Sequence, residues 1–385
     1  MNILFDFVTL QDKFINGGAK YTLVILNRLL QNKNNKLYAL IDENKDVPEF
    51  LLEKIKNNSM NVVFIDNELD KKISENQIEK FFIGIAQRYN TYDLSNLNCK
   101  IYIVCHDIGD ICQVYDNNLY SKKRNDFVEK YCYVNHSFID KFKKNIFRYC
   151  KKNGIFKGYL NFSKLIRQKN VFLITDSEYS KYALLYFFDD IANDIQVFYC
   201  PLEYIDCKKN VVEDKDLKEL ICSNKKYFLL LSVNRQNKNA ALFVEQWKKF
   251  CKYTNNKYYA LLVGNCDFVG DNIITIKSLS ENDLIHAYKH SFALVYPSIT
   301  EGFGYPPLEA MSMNVPVVCA YATSIPEIIK DGGVLFNPYY PEALFKSLLE
   351  VIKNRDFYVE NAKKQYQVVS RRQKEDLEKL ISFIS

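Results

Sequence analysis

A chain of 385 residues is longer than one hydrophobic core usually serves, so two domains of about 150–200 residues each are expected. With 48% hydrophobic and 25% charged residues its usage is ordinary for a globular protein, which excludes a largely disordered chain. The formal charge of +6 is modest but uneven: 119–170 carries fourteen Lys and Arg against Asp126, Glu129 and Asp140, which leaves the remainder net negative.

The first residues, MNILFDFVTLQDKF, hold a short apolar run with Asp6 inside it, without the basic segment and long apolar core of a signal peptide. No stretch approaches the roughly 18 apolar residues that a spanning helix needs. The 11 cysteines stand singly, with no C-x-x-C pair. A cytosolic protein with reduced thiols and no metal is the expectation.

Residues 3–8 (ILFDFV) read as a first strand and 19–30 as a helix with apolar residues at helical spacing, Gly17-Gly18 lying in the loop between. Further strand-like runs follow at 38–41, 61–65 (NVVFI), 100–105 (KIYIVC), 171–175 (VFLIT) and 195–200 (IQVFYC), separated by helical patterns. Alternation of this kind implies an α/β fold with a parallel sheet between layers of helices.

After the polar stretch 206–224 the pattern restarts with 227–233 (YFLLLSV), 258–264 (YYALLVG), 273–276 (IITI), 292–298 (FALVYPS) and 315–320 (VPVVCA). A domain boundary near residue 205 follows, giving 1–205 and 206–371. The last segment keeps helical periodicity with no strand signal, and 372–385 is expected to return to the first domain.

The segment 297–309, PSITEGFGYPPLE, comes directly after a strand and leads into a helix, where doubly wound sheets bind their ligands. Gly302 and Gly304 admit close backbone approach, while Pro306 and Pro307 suit a first helical turn whose N-terminus attracts anions. A diphosphate fits such a place. Glu301 in the loop and Glu309 one turn into the helix can then hold sugar hydroxyls on either side of it.

The stretch EGFGYPPLEAMSMNVPVV closely resembles the signature of retaining GT-B glycosyltransferases of the large family 4 group. Upstream, Asn234-Arg235-Gln236-Asn237-Lys238-Asn239 resembles that family's R…K-N element, Gly17-Gly18-Ala19 its N-terminal glycine loop, and His106-Asp107 its H-D pair. The segment 175–180, TDSEYS, resembles its S-E-F/Y-S turn and is read as structural, with Ser177 an N-cap.

The resemblance implies a GT-B fold, two Rossmann-like doubly wound domains facing across a cleft. It also implies retaining transfer of a hexose from a UDP or GDP sugar to a hydroxyl of a glycan or lipid-linked acceptor. Its implied nucleotide-sugar set is Gly17, Gly18, Asn234, Arg235, Lys238, Glu301, Gly302, Phe303, Gly304, Tyr305, Leu308 and Glu309.

His106, Glu301, Arg235 and Lys238 are its catalytic members. Arg235 and Lys238 would neutralise charge on the departing diphosphate, and His106 would lie against the donor sugar. No metal or other cofactor is required, because these cations and the helix N-terminus already supply positive potential.

Between His106 and Ser177 the basic insert 119–170 interleaves Lys and Arg with Tyr and Phe, a composition suited to an anionic membrane surface, a phosphorylated acceptor or a solvated helical face. No nucleic-acid module accompanies it. A nicotinamide dehydrogenase would need G-x-G-x-x-G after an early strand, which is missing. The remaining alternative is a non-catalytic GT-B-fold partner that binds a glycosyltransferase or a membrane.

Overall fold

The computed structural model describes residues 1–11, 17–89, 92–108, 160–201 and 211–385, which form two compact units. The first unit takes in the described residues up to 108, those from 160 to 201, and Ser370–Ser385; the second runs from 211 to Val369. Most of the basic insert, 119–159, lies outside the described residues.

In the first unit seven strands are all parallel: β1 (Asn2–Asp6), β2 (Lys36–Ile41), β3 (Asn61–Phe64), β4 (Lys80–Ile83), β5 (Lys100–Val104), β6 (Val171–Thr175) and β7 (Gln196–Val197). Their order is β3-β2-β1-β4-β5-β6-β7. Consecutive residues of β1 and β5 are buried, which in a strand means that both faces are covered.

The second unit repeats the design with β8 (Tyr227–Leu231), β9 (Tyr259–Val263), β10 (Ile273–Ile276), β11 (Ala293–Tyr296), β12 (Val317–Ala320) and β13 (Val334–Phe336), in the order β10-β9-β8-β11-β12-β13. Its core is aromatic. Phe228 on β8 meets Trp247 and Phe250 edge-on at 5.8 and 5.5 Å, and Trp247 stacks on Phe243 at 5.2 Å.

Both sheets reverse their winding once, between β1 and β4 and between β8 and β11. Loops leaving the carboxyl ends of those strands diverge to opposite faces and open a crevice there. The two Rossmann-like units are therefore doubly wound, as GT-B chains require.

Two strands were not legible beforehand. β4 (KFFI) and β13 (VLF) are too short to show a period, yet β4 lies at the centre of its sheet. The run 195–200 contributes only two paired residues, because Phe198 and Tyr199 turn to meet the last helix.

That helix, Arg355–Ile384, contributes to both units. Near its start Arg355 Nε donates to the Phe292 carbonyl at 3.2 Å and Gln365 Nε2 to the Ile328 carbonyl at 2.8 Å. At its end Gln373 donates to the Cys200 carbonyl, Asp376 accepts the Tyr199 N–H at 3.1 Å, and Phe383 stands edge-on to Tyr102 at 5.1 Å. No helix among the described residues is long and apolar enough to cross a membrane.

Candidate functional site

In the second unit the loop after β8 carries Asn234 and Arg235 into a single 3-10 turn, Gln236–Lys238. Asn239, left-handed at φ 52°, then starts the helix Ala240–Tyr253; Asn tolerates that conformation better than most residues. Across the switch point the loop after β11 carries Glu301. Lys238 is buried, and its Nζ lies 2.5 Å from both Glu301 Oε1 and the Tyr296 hydroxyl.

Glu301 Oε1 also accepts from Ser298 Oγ and, at 3.4 Å, from Asn237 Nδ2. The main chain is tied down as firmly. Thr323 Oγ1 accepts the Glu301 N–H at 3.0 Å, and Ser324 Oγ donates to the carbonyls of Glu301 and Phe303 at 3.0 and 3.2 Å. Asn237 Nδ2 donates to the Thr300 carbonyl at 3.0 Å, so the two switch-point loops are sewn to each other.

Arg235 is exposed and makes no ion pair among the described residues. Its charge reaches Tyr296, where it opposes burial and Glu301, the two influences that together push that phenol well above its usual range. Glu309, in the helix Tyr305–Ser312, accepts from the buried Tyr288 hydroxyl at 2.7 Å. Burial, then Glu309, keeps Tyr288 neutral.

Gly304 precedes that helix at φ 104°, and a Cβ there would stand 2.6 Å from Ile325 Cδ1. Only glycine suits both demands. Gly302 and Phe303 are buried, with Phe303 edge-on to the half-exposed Tyr305 at 5.8 Å. Leu308 is wholly enclosed, so its side chain offers no surface to a ligand. Asn234 turns to β9, where a Cβ on Gly264 would lie 2.8 Å from its Oδ1.

In the first unit Gly17 and Gly18 are not loop residues but open the helix Gly17–Leu30. Close approach explains Gly18: a Cβ would press on Ile85 Cδ1 at 2.6 Å and come within 3.2 Å of His106 Nε2. His106, just beyond β5, sets Nδ1 2.9 Å from Asp176 Oδ2 and Nε2 3.1 Å from the Gly84 carbonyl.

Both of those partners are acceptors, so the doubly protonated ring satisfies both. Burial alone would lower the imidazole pKa, but the Asp176 hydrogen bond and charge outweigh it and raise the value. The His106 carbonyl accepts from Ser180 Oγ at 2.8 Å. Both ring nitrogens and the carbonyl of His106 thus each have a partner within the unit.

Behind Gly84 stands Asp6 at the end of β1, fully buried, whose Oδ2 accepts the Gly84 N–H at 2.9 Å while Oδ1 accepts from Tyr89 Oη at 2.6 Å. Burial raises its pKa and these bonds oppose the rise. Asp6, Gly84 and Asp176 had no chemical signal in the sequence, since each acts through a strand end that only the folded sheet places. Ser177 caps the helix Glu178–Phe187 by accepting the Ser180 N–H at 3.1 Å, as its position indicates.

Comparison with known proteins bears on the second unit directly. Residues 212–368 match the sequence profile of the family described as Glycosyl transferases group 1. The O-antigen chain mannosyltransferase B of Escherichia coli is 42% identical over 74 residues, 19% of each chain. The O-antigen chain mannosyltransferase RfbU of Salmonella typhimurium is 31% identical over 125 residues, 29% of this chain and 34% of that protein. The matches therefore span about a fifth and a third of the length of these curated relatives.

At the level of fold the likeness extends to the whole chain. The crystal structure of Anabaena HepE in complex with UDP-glucose superposes with a TM-score of 0.65 at 14% identity, covering 99% of this chain and 100% of that one. Residues 212–368 match the glycosyl transferases of group 1, and the chain that carries them has the GT-B fold.

Proposed function

We propose that this chain is a retaining glycosyltransferase that moves a hexose from a UDP or GDP sugar to a hydroxyl of a glycan or lipid-linked acceptor in surface polysaccharide or glycolipid synthesis. The names of the relatives favour mannose, and HepE was crystallised with UDP-glucose. The observation that carries the reading is the buried Lys238–Glu301 pair at the β8/β11 switch point, beside an Arg235 that no carboxylate among the described residues holds.

An anionic diphosphate entering here meets the Arg235 guanidinium, the Lys238 ammonium and the N-terminus of the helix Tyr305–Ser312. These three stabilise the charge that builds on the leaving group as the glycosidic bond breaks. Glu301 and Glu309, each anchored on a buried tyrosine, stand ready to accept hydroxyls of the transferred sugar and of the ribose. The acceptor hydroxyl attacks from the face that the diphosphate leaves, which retains the anomeric configuration.

The site works without a metal at the diphosphate. The protein acts in the cytoplasm, with 119–170 against the anionic inner face of the membrane; salt-sensitive sedimentation with anionic vesicles checks that placement.

A thermal-shift panel of UDP and GDP sugars tests donor binding. One donor at about a hundred times its Kd stabilises by about 2.7 kcal/mol, and that sugar is then transferred with its configuration kept, read by NMR of the product. A chain that binds a donor but neither transfers nor hydrolyses it is the non-catalytic partner instead. If no nucleotide sugar shifts the melting curve, the proposal fails.

A further inference from the structure

The ends of three adjacent strands in the first unit converge on one cluster of polar side chains. β5 is followed by His106, β6 by Asp176 and β7 by Cys200, so residues far apart in the chain become neighbours along the carboxyl edge of one sheet. The His106 Nδ1 to Asp176 Oδ2 distance is 2.9 Å, Asp176 Oδ2 to Cys200 Sγ 3.3 Å, and Cys200 Sγ to His106 Nδ1 4.0 Å.

From these contacts we propose that His106, Asp176 and Cys200 bind one zinc ion. Bonds of about 2.0–2.3 Å around a tetrahedral zinc separate its ligand atoms by roughly 3.3–3.7 Å. The three observed distances bracket that range, so a few tenths of an ångström of adjustment makes the triangle one face of a coordination tetrahedron. An imidazole nitrogen, a carboxylate oxygen and a thiolate together suit zinc better than calcium or magnesium, which prefer oxygen alone.

Two further observations point to a missing group. Asp176 is 2% exposed, and its Oδ1 has no hydrogen-bond partner among the described residues. Tyr21 is 1% exposed, its ring stands edge-on to His106 at 5.1 Å, and its hydroxyl has no partner among the described residues either. Two orphaned oxygens at one buried cluster are costly. A metal ion carrying a water in its fourth position is the kind of group that satisfies both.

The surroundings are also those of a metal-binding histidine. Zinc-bound imidazoles nearly always donate their other ring N–H to a carbonyl or carboxylate, which fixes tautomer and orientation. Here His106 Nε2 faces the Gly84 carbonyl at 3.1 Å, and Gly84 is itself held by Asp6. Binding displaces the Nδ1 proton and the Cys200 thiol proton to solvent. The ion staples β5, β6 and β7 and, through the Cys200 carbonyl bonded to Gln373, the last helix.

Cobalt(II) titrated into the metal-free full-length chain tests the site. The expected result is one equivalent bound, with visible bands of four-coordinate cobalt and a near-ultraviolet thiolate charge-transfer band, all displaced by zinc. Cys200→Ala removes the near-ultraviolet band, whereas Cys222→Ser, at an exposed cysteine, leaves it. His106→Ala and Asp176→Asn weaken binding by about tenfold or more.

X-ray absorption at the zinc edge of the unaltered protein needs no variant to fold. One sulfur at about 2.3 Å with nitrogen and oxygen at about 2.0 Å is expected. No stoichiometric binding, a spectrum without sulfur, or a charge-transfer band that survives Cys200→Ala in a folded variant overturns the proposal and leaves a His–Asp ion pair alone.

Discussion

Arg235 and Lys238 carry the same charge and the same proposed role, yet their surroundings set opposite expectations for their removal. Lys238 neutralises a carboxylate in a nearly dry place, so Lys238→Met leaves Glu301 uncompensated and should cost about 3 kcal/mol of stability. Urea unfolding followed by the fluorescence of Trp247, the chain's one tryptophan, reads this. Arg235→Ala breaks no ion pair among the described residues. It should leave that midpoint within about 0.5 kcal/mol while lowering kcat/KM about a hundredfold.

His106 makes a prediction of opposite sign to the usual acid loss. Its folded-state pKa is raised, so the bond of its imidazolium to Asp176 stabilises fully below the unfolded value of about 6.5 and is lost as pH rises through the folded value. In the metal-free protein the Tm gap between the unaltered chain and His106→Gln should therefore narrow with increasing pH. A gap that widens would show the ring to be neutral in the fold.

At the scale of elements, the loop from Glu301 to Gly304 is shaped more by its neighbours than by itself. The run S-I-P-E at 324–327 opens the short helix Ile325–Ile329. Ser324, however, does not cap it with its side chain; it braces the Glu301 and Phe303 carbonyls instead. Ser324→Ala should cost about 1 kcal/mol and raise KM for the donor more than it lowers kcat. Equal loss in both, or none, would place the brace elsewhere.

Gly304→Ala probes the same loop from the backbone. The substitution combines a positive φ with the clash against Ile325, and should cost about 2 kcal/mol while disturbing the start of the helix that bears Glu309. β4 teaches the converse lesson. Four residues with no readable period form a central strand, because pairing with β1 and β5 decides what KFFI becomes. With β4 in place, Gly84 reaches Asp6 and His106; without it neither contact could be foreseen.

For the molecule as a whole, the continuity of the last helix matters most. Its residues Leu380 and Ile384 are buried in the first unit, more than 170 positions beyond the last described strand of that sheet. Ile384→Ala should cost about 3 kcal/mol and lower the far-ultraviolet circular-dichroism transition. The Trp247 transition, which reports the second unit, should move less. Identical shifts in both signals would show that the units unfold as one.

Strand and helix in alternation implied parallel sheets between layers of helices, since the periodicities that make those elements are local, while the doubly wound GT-B arrangement came with the family resemblance. The segment around Glu301 was legible for the same reason: glycines, prolines and two carboxylates within 13 residues, 297–309, carry their own geometry. Which polar groups meet was left to tertiary structure.

Lys238 finds Tyr296, Glu309 finds Tyr288, and His106, Asp176 and Cys200 assemble from three strand ends. Cysteine spacing pointed away from any metal because a ligand set drawn from separate crossovers leaves no local trace. Contacts of that range exist only once loop closure and sheet order have been settled by burial of the core, and no window of sequence contains them.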